Sequence, residues 1–174
     1  LALGDQSMAD PLVSTAWLAD HLQAPDVRII DASWYFPQEE RDAKAEYALA
    51  HIPGAVYMNL GDLVDPDSPI DNTLPAPERF ASRMQSLGLG DGSRIVLYDD
   101  SAVKSSARAW FMLKHFGAHA VAILDGGLAA WKAQRRPTAS GEERLRHRHF
   151  TAWSGGKALR DKAQMLANVA TRAE

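Results

Sequence analysis

The sequence predicts an α/β fold, a mostly parallel sheet with helices on both faces in three layers. Two observations carry this. Three short apolar runs, residues 27–30, 95–98 and 120–124, are bounded by turn residues and show no polar alternation, the pattern of strands buried on both faces. Between the last two lies a helical stretch closed by Gly117, so strand, helix and strand form a right-handed crossover unit with parallel strands.

Taken in order, Ser14 caps a short helix through Leu22, with Trp17, Leu18 and Leu22 on its apolar side. The strand at 27–30 follows Pro25 and ends at Asp31. Residues 32–47 are polar and charged and read as a loop leading into a helical turn. Pro53 and Gly54 predict a tight turn, with a short strand over 56–58 after it. Residues 65–77 hold four prolines and three aspartates, a long surface loop. Pro77 suits a helix start, Phe80, Met84 and Leu87 recur at helical spacing, and Gly88 supplies the stop. After the strand at 95–98, a loop over 99–104 precedes a helix over about 105–116. After the strand at 120–124, Asp125-Gly126-Gly127 turns the chain into a helix that stops near Pro137. Residues 139–148 are basic and polar and read as a linker, and residues 159–170 are again helix-like, with Leu159, Met165, Leu166 and Val169 as apolar members.

Composition narrows the function classes. The 174 residues are 46% hydrophobic and 24% charged, ordinary for a globular domain. A formal charge of -3 argues against nucleic acid or an anionic membrane as partner. No apolar run reaches the roughly 18 residues of a membrane span. Residues 1–10 have neither a basic start nor a long apolar core, so they read as a disordered or vector-derived start rather than a signal peptide, with Met8 as a candidate native start. The expected compartment is the cytoplasm. There is no cysteine, which excludes a disulfide, a thiolate metal ligand and a thiolate nucleophile within this chain.

Three motifs stand in a fixed order. Residues 47–59 read YALAHIPGAVYMN, residues 95–110 read IVLYDDSAVKSSARAW, and residues 123–131 read ILDGGLAAW. Together they resemble the rhodanese family: the HIPGA signature, a strand running into an active-site-like loop and helix, and the DGG-x-x-x-W element. Asp31-Ala32-Ser33-Trp34, Arg41-Asp42-Ala43 before Glu46-Tyr47, and residues 65–75 resemble the 3-mercaptopyruvate sulfurtransferase branch more closely than the thiosulfate branch. Residues 149–152 followed by Leu159-Arg160-Asp161 resemble the crossing into that branch's second domain. The resemblance covers the chain from about Pro11, but only the first half of the family's usual length.

The resemblance implies a domain plan. A rhodanese-like, non-catalytic domain spans 11–138, an interdomain linker spans 139–158, and residues 159–174 begin a truncated second rhodanese-like domain. It also implies a chemistry. A cysteine thiolate takes sulfur from the donor, 3-mercaptopyruvate or thiosulfate, as a persulfide, and a thiol or cyanide then accepts the outer sulfur. Backbone N–H groups of a loop and helix N-terminus favour the anion. The strand at 95–98 delivers Asp99 to the nucleophile's position, and aspartate cannot form a persulfide. The resemblance explains this, because first domains of two-domain members commonly carry aspartate there. Asp99 is expected to accept N–H bonds from its own loop, a structural role. Ala102 and Lys104 stand where relatives lead one to expect glycine and an apolar residue.

In mercaptopyruvate sulfurtransferases, a histidine and an aspartate at the positions of His51 and Asp42 have been proposed to support a serine near the catalytic cysteine, here beyond Glu174. An aspartate that orients an imidazole is reasonable chemistry for moving a proton. The plainer reading is that His51 hydrogen-bonds at the turn before Pro53. Arg108, Lys104 and Arg41 are candidates to attract the donor's carboxylate, against the plainer reading of solvated charges. The implied partners are a second rhodanese domain and a small sulfur donor, with no cofactor and no metal. His147 and His149 make a weak metal pair without a third ligand, and Gly88-x-Gly90-x-Gly92 lacks the lysine of a phosphate loop. Trp110 and Trp131 suit the core, and Trp34 and Trp153 suit contact with the missing domain. The rival class is a freestanding docking or regulatory module. Hydrolysis of a phosphoester is a remote third, since it too needs the absent cysteine.

Overall fold

The computed structural model describes residues 10–153 and 159–171. Expectations for residues 1–9, 154–158 and 172–174 therefore lie outside the described residues. Five strands form one parallel sheet: β1 (Leu12–Val13), β2 (Val27–Asp31), β3 (Val56–Tyr57), β4 (Arg94–Tyr98) and β5 (Val121–Leu124), in the order β1-β5-β4-β2-β3. Six α-helices accompany them: α1 (Thr15–His21), α2 (Ala43–Leu49), α3 (Pro77–Ser86), α4 (Ser106–His115), α5 (Gly127–Ala133) and α6 (Lys162–Thr171).

The apolar runs become strands because both of their faces are covered. Along β4, Ile95 and Leu97 enter one core with Phe80, Met84, Met112, Leu113 and Phe116 of the α3–α4 layer. Val96 and Tyr98 enter the opposite core with Trp17, Leu18, Tyr47, Leu128 and Trp131 of the α1, α2 and α5 layer. β2 and β5 divide their side chains in the same way. Full burial of each such side chain contributes about 1.5–3 kcal/mol, and only a sheet sandwiched by helices supplies it to consecutive residues.

Local signals set most boundaries. Ser14 accepts from Trp17 N at 3.1 Å and caps α1. Pro77 opens α3, and Gly88 follows it at φ +72°. Two elements differ from expectation. β1 was not anticipated, because two residues carry no period and its pairing with β5 is far away in sequence. α2 runs from Ala43 to Leu49, longer than the helical turn expected at the end of residues 32–47, and Asp42 Oδ1 accepts from Ala45 N at 3.0 Å and caps it.

Residues 139–153 have no helix and little pairing, yet they lie on the domain. Phe150 is 3% exposed within the α3–α4 core. Asp91 accepts from Thr151 N and Thr151 Oγ1 at 2.7 and 2.6 Å. Leu145 and Arg148 pack over Gly88 and Gly90. Helix α6 by contrast has no buried residue, and Met165, Leu166 and Val169 are exposed. Among the described residues, no helix is long and apolar enough to cross a membrane.

The connection after β2 leads to α2 on one face of the sheet, whereas that after β4 leads to α4 on the other. The two strands are neighbours in register, with Asp31 opposite Tyr98. Their carboxyl ends therefore make the switch point where parallel α/β sheets place their sites.

Candidate functional site: the loop after β4

Asp99 stands at the carboxyl end of β4 and is 6% exposed. Its Oδ1 accepts from Ser101 N and Ser101 Oγ at 3.1 and 3.2 Å, and its Oδ2 accepts from Ser106 N at 2.8 Å, in the first turn of α4. The carboxylate thus sits where an anion would be held by loop amides and a helix N-terminus. Ser105 Oγ donates to Ala32 O at 2.7 Å and accepts from Trp34 N at 3.1 Å. It lies 2.8 Å from Ser101 Oγ. Ser33 Oγ accepts from Asp100 N at 3.0 Å. The loops after β2 and β4 are therefore sewn together by buried hydroxyls.

The three motifs converge on this place. The 52–55 turn closes through Ala55 N to Ile52 O at 2.9 Å, with Gly54 at φ +80°, as a turn with Pro at its second position and Gly at its third requires. Ile52 N donates to the Tyr98 hydroxyl at 3.3 Å, so the turn is tied to β4 one residue before Asp99. From the third motif, Leu128 N donates to Asp99 O at 3.2 Å. Gly127 sits at φ +59°, and a Cβ there would come within 2.5 Å of Asp99 O, so only glycine permits the approach.

A charged cluster rims the loop. Arg41 Nε and Nη2 donate to Glu46 Oε1 and Oε2 at 2.9 and 2.6 Å. Nη2 also reaches Asp100 Oδ2 at 3.0 Å, and the guanidinium lies 3.8 Å from the Tyr35 ring centroid. The hydrogen bonds from Arg41 hold the Glu46 carboxyl below its usual range. Burial, then the Glu46 carboxylate, push the Tyr35 phenol up. Beneath, burial raises the Asp31 carboxyl although Ser33 donates to it.

The sequence candidates are distributed as follows. Arg41 is spent on Glu46 and Asp100. Lys104 is exposed on the loop at φ +54°. Arg108 donates to Asn72 O at 2.8 Å, and burial lowers its basicity. Asp42 and His51 are not joined. Asp42 is exposed and caps α2, while His51 is fully buried, with Nδ1 on Tyr47 O at 2.8 Å and Nε2 without a partner among the described residues. Trp131 is fully buried, Trp110 and Trp34 pack partly buried against the α3–α4 core, and Trp153 is 69% exposed over Gly117. Among the described residues, no three metal-ligating side chains converge. A cavity of about 500 Å³ lies away from the loop, between β3, α3 and residues 142–147.

Sequence reasoning passed over Ser33, Ser101 and Ser105. The signal was present: Asp31-x-Ser33 and Asp99-x-Ser101 each follow a strand, and in each the aspartate Oδ1 accepts from the serine N–H two residues on. Ser101 Oγ donates to the carboxylate and Ser105 Oγ to a backbone carbonyl, not to an imidazole, so neither hydroxyl is activated as a nucleophile.

Known proteins extend this geometry. The rhodanese-like domain model matches residues 14–134. Human 3-mercaptopyruvate sulfurtransferase is 41% identical over 167 residues, covering 92% of this chain and 56% of the human protein. The enzyme of the same name from Escherichia coli K12 is 40% identical over 141 residues, covering 80% and 50%. The crystal structure of SseA from Escherichia coli, described as a 3-mercaptopyruvate sulfotransferase of "rhodanese" fold, superposes with a TM-score of 0.88 at 36% identity, covering 93% of this chain and 62% of that one. The chain thus spans about half the length of the curated relatives it matches. With the order of its motifs, its sheet and its loop after β4 all in agreement, the chain belongs to the rhodanese family and is similar to 3-mercaptopyruvate sulfurtransferases.

Proposed function

We propose that this chain is the non-catalytic first half of a two-domain 3-mercaptopyruvate sulfurtransferase-type protein, and that it transfers no sulfur by itself. The observation that carries this is Asp99. A carboxylate occupies the loop position where the resemblance calls for the nucleophile, its oxygens satisfy the loop's N–H groups, and the chain has no cysteine. A sulfur donor would meet no thiolate to attack its sulfur and no vacant anion cradle.

The second half is the proposed partner. Support comes from α6, whose Met165, Leu166 and Val169 are exposed together with Leu159 and Trp153. An apolar stripe of that kind is stable when another surface covers it. Lys104, exposed on the loop after β4, is the cation best placed to meet an anionic donor. Arg108 is the other proposed contact, once released from Asn72 O. Mercaptopyruvate as donor rests on the relatives' names, and the cytoplasm is the proposed compartment, tested by cell fractionation.

The deciding experiment is sulfur transfer to cyanide from 3-mercaptopyruvate and from thiosulfate. The chain alone is expected to give no turnover, and addition of a separately produced catalytic half is expected to restore it. Turnover by the chain alone, or none after the second half is added and shown to bind, overturns the proposal.

A further inference from the structure

The backbone of residues 139–143 is held by one short stretch, the end of α2 and the residues just beyond it. Ala139 exchanges two hydrogen bonds with His51, both 2.9 Å. Gly141 N donates to Ala48 O at 2.8 Å, and Glu143 N donates to the Tyr47 hydroxyl at 3.2 Å. The same hydroxyl donates to Ala55 O at 2.7 Å in the 52–55 turn.

His51 organises this anchor. Its Nδ1 bonds Tyr47 O at 2.8 Å, one of the last carbonyls of α2, which the helix itself leaves without a partner. Its ring stacks on Tyr47 with centroids 4.2 Å apart and planes 18° from parallel. A carbonyl can only accept, so the hydrogen sits on Nδ1. Nε2 is enclosed in a residue with no exposed surface and bonds nothing among the described residues.

We propose that His51 is a positioning residue: its ring, bonded to Tyr47 O and stacked on Tyr47, fixes the strap of residues 139–143 to α2. The inference does not depend on whether a catalytic half follows.

Amide hydrogen exchange on the 174-residue chain tests it. In His51→Ala, the amides of Ala139, Gly141 and Glu143 are expected to exchange at least about tenfold faster, while the β4 amides stay protected. His51→Asn places an amide nitrogen where Nδ1 lies and is expected to restore protection, and His51→Gln, whose nitrogen reaches only the Nε2 position, is not. Unchanged strap protection in His51→Ala overturns the proposal. Should His51→Ala fail to fold, Asn against Gln decides: protection kept by Asn and lost by Gln supports it, and any other pattern overturns it.

Discussion

At the residue scale, the loop after β4 closes around a carboxylate. Asp99 supplies an anion that is already part of the chain, and Ser101 and Ser106 donate to it. Asp99→Ala would leave Ser106 N and Ser101 N buried without their acceptor. The expected cost is about 1–3 kcal/mol, measured by urea unfolding, because a buried N–H stripped of its partner loses its full solvation. No loss would mean that water replaces the carboxylate freely. The position of Asp99 was legible in the sequence from the strand and the motif order. The serines that close around it were not read, since their partners lie on another strand's loop: Ser105 meets Ala32 and Trp34, 73 and 71 residues away.

At the element scale, the segment beyond α5 changed character most between sequence and structure. Its basic, polar composition reads as linker, and it forms no helix, yet Phe150 and the Asp91–Thr151 pair dock it. The hydrogen bonds from Thr151, first from its hydroxyl and then from its backbone, hold the Asp91 carboxyl below its usual value of 3.8. A carboxyl lowered in the folded state stabilises it above the unfolded value, and that contribution is lost as pH falls through the lowered folded value. Melting temperature should therefore fall more steeply below about pH 4 in the native chain than in Thr151→Val, where the hydroxyl donor is gone. Equal slopes would show that the clamp adds nothing. Because Asp91 is largely exposed, the difference is expected to be small. Irregular segments have no period to read, so their docking emerges only from the surface they meet.

At the scale of the whole molecule, the packed body ends with the docked segment and α6 stands outside its cores. Limited proteolysis is expected to cut first within the exposed residues 159–171 and to leave a fragment that retains Phe150, read by mass spectrometry of the limit digest. Early cleavage at about Ala139 would mean that the segment is not held on the domain. Covering α6 with a catalytic half should suppress the first cut. The strand runs, the helix caps, the glycine stops and the three motifs were all local, and local physics writes itself into neighbouring residues: burial on both faces into unbroken apolar runs, capping into Ser14, crossover into the βαβ spacing. From these the fold class and the family resemblance followed directly, and composition alone showed that the chain has no thiol. Which strand would be neighbour to which, the pairing of the two-residue β1 with β5, the burial of His51 away from Asp42, and the closure of two loops by shared serines depend on contacts between residues far apart in the chain. No single segment carries the record of such a contact, because each half is ordinary until folding brings the other against it.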